Sequence, residues 1–172
     1  MADIKLLTEN SNNLERFSSS DRILLIVPGA SFESKIYPPE LFVNVINKLS
    51  LKTLIIWGNE KEYEIAKIIK RSSPKASLSP KININELKRI ISKVNMVIGG
   101  DTGPTHIAWA LNIPSITLYG CTSGKRNSFI SLKNKIIESK TDIDARKIDR
   151  NDFSISSIKP NRVVKIAKEI LG

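Results

Sequence analysis

The sequence predicts a parallel α/β fold, a single sheet with helices on both of its faces, and three observations carry that expectation. Short unbroken apolar runs such as Ile23-Leu24-Leu25-Ile26-Val27 recur along the chain, and such a run suits a strand covered on both sides. Segments with apolar residues at helical spacing separate these runs, each giving a helix one face to bury. Strand and helix signals alternate through nearly the whole chain, the pattern of a parallel sheet with crossover helices.

The elements follow in order. Residues 8–21 are rich in Ser and Asn, so 1–22 read as a leader or interdomain linker and 23–172 as one domain. The first strand, Ile23 to Val27, is stopped by Pro28-Gly29. Pro38-Pro39-Glu40 opens a helix, proline being suited to a first turn, with Leu41, Phe42, Val45, Ile46 and Leu49 on its inner face. Thr53 to Trp57 is a second buried strand, ended by Gly58-Asn59. A helix from about Lys61 to Arg71 buries Ile65, Ala66, Ile68 and Ile69. Ser77 to Ser79 reads as a short third strand. Asn83 and Glu86 have capping-box spacing for a helix using Leu87, Ile90 and Ile91. A strand over Val94 to Ile98, a helix over Gly103 to Leu111 and a strand over Ser115 to Tyr119 come next. Asn134 to Glu138 is a sixth strand, and Pro160 to Leu171 closes the chain with Val163, Ile166, Ala167 and Ile170 as an apolar stripe. Residues 139–158 carry the weakest pattern.

Composition bounds the function. With 172 residues, 41% hydrophobic and 26% charged, the chain suits one globular domain with a real core. Lys and Arg outnumber Asp and Glu by 27 to 17, a net charge of +10, which favours anionic partners such as phosphorylated small molecules, nucleic acid or an anionic membrane face. The abundance of Lys, Ile and Asn is also what AT-rich coding DNA produces, so the charge permits such partners without selecting one. Cys121 is the single cysteine, which fits a reducing compartment. No signal-peptide core and no apolar run near the ~20 residues of a membrane span is present, so a cytoplasmic protein is expected.

Ligands of open α/β sheets bind beyond the carboxyl ends of the strands, which points to the loops after Val27, Trp57, Ile98 and Leu118. The third is the most telling: Gly99-Gly100-Asp101-Thr102-Gly103-Pro104-Thr105-His106 leads into a helix. The two leading glycines let the backbone turn sharply and approach a ligand. Gly103 is expected as the N-cap with Pro104 at the first helical position. Free amides at that start, with the helix dipole behind them, make a site for an anion such as pyrophosphate. Thr102 and Thr105 add hydroxyl donors, and His106 faces the same point. The plain alternative is an ordinary helix start capped by Asp101 and Thr102, with His106 simply packed, and the segment alone leaves the two open.

Continued through Ile107 to Thr122, this segment resembles the signature of glycosyltransferase family 9, which includes the ADP-heptose:lipopolysaccharide heptosyltransferases. That signature reads Asp-Thr-Gly-x-x-His-x-Ala-x-Ala-Leu, then Pro, then a strand ending in aromatic-Gly-x-Thr. Three further stretches match: Pro28-Gly29-Ala30-Ser31 with Lys35 and Tyr37-Pro38; Gly58, Glu62 and Ala66; and Ser156-Ser157-Ile158 with Pro160 and Val163. A cysteine expected near Phe153 or Ser154 is missing. The resemblance covers residues 23 to 171.

The resemblance implies the C-terminal, nucleotide-sugar-binding half of a GT-B enzyme, a Rossmann-like domain. It implies that Asp101, Thr102, Gly103 and His106 hold the diphosphate and nearby sugar, that Lys35 neutralises charge on the departing nucleoside diphosphate, and that Glu62 accepts hydrogen bonds from ribose hydroxyls. Ser31 and Thr122 are further donor-site candidates on neighbouring loops. Lys35 and His106 are the catalytic candidates. Preorganised amides with one lysine stabilise such a leaving group, so no metal is required. The donor is expected to be ADP-heptose and the acceptor the lipopolysaccharide core, held by an N-terminal domain that also carries the base and is not part of this chain. A truncated chain, one product of a split gene and a degenerate half all fit that expectation. Localisation is expected in the cytoplasm, with peripheral contact to the anionic inner membrane as an extension.

Rival readings are a non-catalytic nucleotide-binding module and another GT-B enzyme such as a sugar-nucleotide epimerase. Nucleic-acid binding is disfavoured: the basic residues Lys125, Arg126, Lys133, Lys135, Lys140, Arg146, Lys147 and Arg150 have no interleaved aromatics to stack bases. Asp142-Ile143-Asp144 has metal-site spacing but reads as a solvated loop. Gly120 to Lys125 falls one residue short of a P-loop, with Arg126 where Ser or Thr is needed.

Overall fold

The computed structural model describes residues 21–139 and 148–172. The expected leader before Asp21 and the Asp142–Asp144 pair therefore lie outside the described residues. The elements are β1 (Ile23–Val27), α1 (Pro39–Leu49), β2 (Lys52–Ile55), α2 (Glu60–Arg71), β3 (Ala76–Leu78), α3 (Ile84–Ile91), β4 (Met96–Gly100), α4 (Gly103–Ala110), β5 (Ser115–Tyr119), α5 (Gly124–Asn127), β6 (Asn134–Glu138) and α6 (Pro160–Leu171), with 3-10 turns at Glu33–Lys35 and Ser154–Ser157. The six strands form one sheet in the order β3-β2-β1-β4-β5-β6, and every pairing is parallel.

Alternation along the buried strands builds two cores. Leu24 and Ile26 of β1 pack with Phe42, Val45 and Ile46 of α1, Ala66 and Ile69 of α2, and Val163 and Ala167 of α6. Ile23, Leu25 and Val27 point the other way, onto Ile90 and Ile91 of α3 and Ala108 of α4. Burial of this kind stabilises by roughly 1.5–3 kcal/mol per large side chain, relative to leaving it exposed. The α/β expectation, with helices on both faces, holds.

Several boundaries differ from the expected ones, each for a physical reason. The fourth strand runs over Met96–Gly100, not Val94–Ile98. Val94 instead packs beneath α3, and the Asn95 side chain accepts from the Ile23 amide at 2.7 Å, anchoring the entry to β1. β2 and β3 are likewise displaced, to Lys52–Ile55 and Ala76–Leu78, because β3 pairs only from Thr53 to Ile55 of β2. The capping box of α3 is present as expected, with Glu86 accepting from the Asn83 amide at 2.7 Å and Asn83 accepting from the Glu86 amide at 3.0 Å. Helix α5 and both 3-10 turns were not foreseen: they are too short to show a period.

The two glycines before Asp101 lie within a strand, not in a sharp turn as expected, and are closely packed. Gly99 and Gly100 belong to β4 itself, and a Cβ on Gly99 would stand 2.7 Å from Val27 Cβ and 2.9 Å from its carbonyl oxygen. The absent side chain of Gly99 leaves room for Val27 of β1, and that of Gly100 for the Lys35 carbonyl, which a Cβ would approach to 3.0 Å.

Candidate functional site

The sheet order changes direction between β1 and β4, and in open α/β sheets the crevice beyond the carboxyl ends at such a point is where ligands bind. A cleft of about 610 Å³ lies there. Ser31, Lys35, Glu62, Asp101, Thr102, Gly103 and His106 all line it, so residues spread from the first loop to the fourth helix converge. Thr122 does not line it. Its side chain is buried, and its hydroxyl donates to Asp101 Oδ2 at 3.4 Å from behind.

Helix α4 supplies the electropositive end. Thr102, in extended conformation, is the N-cap, so Gly103 and Pro104 fill the first two helical positions; the expected cap at Gly103 is displaced by one residue. First-turn amides have no intrahelical acceptor, proline contributes none, and Thr105 is fully buried behind the cleft wall, which leaves the Gly103 amide as the helix's own donor to the cleft. The side a Cβ of Gly103 would occupy is open, with no atom within 4 Å. The Thr105 hydroxyl is spent inside the protein, between the Gly100 carbonyl at 3.0 Å and that of Thr102 at 2.7 Å. It is fully buried, so it offers nothing to a ligand, contrary to expectation. Thr102 Oγ1 is buried without a hydrogen-bond partner.

Asp101 is the hub. Its Oδ2 lies 2.9 Å from Lys35 Nζ, and its Oδ1 lies 3.1 Å from His106 Nε2. The Lys35 and Asp101 side chains retain about a tenth of their exposure, whereas His106 keeps 47%. An acidic side chain repels a diphosphate, so what Asp101 can offer an anion is the placement of Lys35 and His106. Lys35 has three N–H donors, one used on Asp101, and its ammonium also lies 5.3 Å from the Phe32 ring centroid. The His106 ring stacks on Trp109, one turn along α4, with centroids 4.4 Å apart and planes 25° apart.

Glu62 stands on the first turn of α2, which Asn59 caps by accepting from the Glu62 amide at 3.1 Å. Its Oε2 accepts from the Gly58 amide at 2.7 Å, leaving Oε1 for another donor. The carboxylate lies directly over Gly29, where a Cβ would come within 2.2 Å of Glu62 Cδ. Beyond Glu62 is a second hollow of about 310 Å³, lined mainly by apolar residues including Ile56, Trp57, Ile82, Ile84 and Leu87. Val27, Glu62 and Pro104 border both cavities.

Sequence reasoning missed that hollow, because its walls read as ordinary core residues of three separate elements. It also missed Asn127, which lines the main cleft from α5. Tyr119 fixes that helix by donating to the Asn127 carbonyl at 3.2 Å. Burial above all, then the charges of Asp101 and Glu138, push the Tyr119 phenol well above its ordinary range. It stays a protonated donor. Among the described residues no group of three His, Cys, Asp or Glu side chains could hold a metal ion.

Known proteins resemble this chain in sequence and in fold. The profile of glycosyltransferase family 9 (heptosyltransferase) matches residues 4–153. The chain is 37% identical to lipopolysaccharide heptosyltransferase 1 of Campylobacter coli over 99% of its own length and 52% of that protein's. The structure of the E. coli heptosyltransferase WaaC with ADP aligns at a TM-score of 0.75 and 21% identity, covering 88% of this chain and 45% of that one. E. coli ADP-heptose lps heptosyltransferase II aligns at 0.75 and 20% identity, over 90% and 48% respectively. The chain spans about half the length of these relatives.

Proposed function

Because the chain belongs to glycosyltransferase family 9, we propose that it is the nucleotide-sugar-binding part of an inverting heptosyltransferase. The donor is ADP-heptose and the acceptor the lipopolysaccharide core. One observation carries the reading: seven of the eight residues picked from the sequence line a single cleft where the strand order reverses.

The diphosphate sits at the start of α4, against the Gly103 amide and the positive end of the helix dipole. Lys35 donates its remaining N–H groups to the phosphate whose charge grows as the sugar–phosphate bond breaks. His106, its Nε2 held at Asp101, borders the diphosphate and nearby sugar from the exposed side. Glu62 Oε1 accepts from a ribose hydroxyl, and its place between the two cavities lets the ribose bridge them. The base then enters the apolar hollow, where Ile84, 55% exposed in the free protein, gains cover. The name of one structural neighbour, a heptosyltransferase with ADP, supports a nucleotide-bearing donor.

Displacement at the sugar needs a base to take the acceptor proton. Acceptor and base belong to a partner domain facing the cleft, in keeping with relatives about twice this length. The work is cytoplasmic, at the inner membrane, where anionic lipid meets the basic surface.

Isothermal titration tests the donor half. ADP should bind the isolated chain weakly, and Lys35→Ala should weaken it roughly tenfold or more, the loss of one charge-assisted contact. His106→Ala should weaken it as well. Unchanged affinity in both variants contradicts the site.

A further inference from the structure

We propose that the connection from α5 to β6, residues 128–133, is the surface that meets the anionic membrane. This deepens the membrane contact proposed above and rests on that part of it, independently of the donor site. Three large apolar side chains stand out of this short connection: Phe129 is 63% exposed, Ile130 54% and Leu132 89%. Three exposed apolar side chains within four residues exceed the scattered single ones that need no explanation.

The turn that carries Leu132 is built to hold it outward. Ser131 Oγ accepts from the Lys133 and Asn134 amides at 3.2 and 3.0 Å, and the Ser131 amide donates to the Asn134 carbonyl at 3.0 Å. The Lys133 carbonyl accepts from Ser115 at 3.0 Å. Backbone groups already paired can approach an apolar phase without the cost of losing water.

Charge selects the partner. From Thr102 to Ile137 the chain contains no Asp or Glu, while Lys125, Arg126, Lys133 and Lys135 flank the apolar tip. Apolar groups ringed by basic ones fit an anionic lipid surface, with the rings and branches among the acyl ends and the cations at phosphate level. A covering protein domain at the cleft fits the Leu132 end of the connection less well. Lys133 pairs with Ser115, the first residue of β5, so Leu132 lies at the amino ends of the strands, away from the cleft.

Vesicle flotation of the full chain tests the proposal, using phosphatidylcholine alone and phosphatidylcholine with about 30% phosphatidylglycerol, an anionic leaflet. The chain should float with the anionic vesicles and not with the neutral ones. The double variant Phe129→Ser, Leu132→Ser should lose about tenfold or more of that binding, the scale expected when apolar burial is removed, with an unchanged ADP titration. Equal flotation of chain and variant would show attraction by net charge alone and overturn the proposal. So would absence of flotation, or a dimer in sedimentation that the double variant dissolves. Failure of the unsubstituted chain to bind ADP counts against the donor site only, leaving the flotation result to stand or fall separately.

Discussion

Lys35 Nζ and Asp101 Oδ2 lie 2.9 Å apart, with both side chains nearly buried. The pair ties the 3-10 turn after β1 to the loop after β4, across the reversal in strand order. It fixes the ammonium before any ligand arrives, and preorganised charge costs no rearrangement when the leaving group forms.

Removing one partner strands the other charge in a poorly solvated place. Lys35→Met and Asp101→Asn should each destabilise the fold, and the double variant should do so by less than the sum. The coupling should be about 0.5–3 kcal/mol, as for residues in direct contact. Chemical denaturation of the four proteins measures it. Strict additivity would mean that the pair does not hold in solution.

The stack of His106 on Trp109 gives the ring one orientation toward Asp101. Trp109→Ala should therefore weaken ADP binding by about threefold to tenfold, on the scale of a lost aromatic pair, although Trp109 does not line the cleft. Trp109→Phe, which keeps a stacking face, should restore most of it. Calorimetry on the two variants decides, and no recovery with Phe would count against positioning.

Gly29 leaves room for Glu62, and Gly29→Ala would place a Cβ 2.2 Å from the Glu62 carboxyl carbon. The carboxylate must swing away from the cleft border. ADP should then lose its advantage over 2′-deoxy-ADP or 3′-deoxy-ADP, as in Glu62→Ala, while the melting temperature moves little. Retained discrimination in Gly29→Ala would remove Glu62 from the ribose contact.

Tyr37 donates to the Ile158 carbonyl at 2.8 Å and is fully buried, joining the entry of α1 to the entry of α6. Burial first, then the charge of Glu40, push its phenol well above the ordinary value of 10.0. The folded state thus holds this proton more tightly than the unfolded one. Its contribution is complete below pH 10.0 and is lost as pH climbs further. Tyr37→Phe should cost about 1–3 kcal/mol at neutral pH by leaving a buried carbonyl unpaired. It should also flatten the alkaline fall in stability, which melts taken across the alkaline range would show.

What was legible in the sequence follows from what has a period or a type. β1 and the faces of α1 and α6 announce themselves because each repeats an apolar spacing over several residues. The Asp101–His106 segment stands out through residue types rare in plain connections. The displaced start of β4 was hidden because Val94 is apolar for packing under α3 and not for pairing. Thr102 rather than Gly103 caps α4 because its extended backbone takes that role, a conformation that composition does not reveal. The apolar hollow beside Glu62 is assembled from β2, α3 and the loops between, and a linear pattern carries no trace of such an assembly. Thr122 matched by motif yet supports Asp101 from behind, since order along the chain does not say which side of a carboxylate a neighbour will take.

The start of α4 as the seat of a diphosphate is tested most directly by amide resonances of the 15N-labelled chain during titration with ADP and, separately, with adenosine. The Gly103 amide should move with ADP and stay in place with adenosine, which lacks the phosphates. Binding of ADP that leaves the Gly103 amide unmoved, or equal movement with adenosine, would contradict the account.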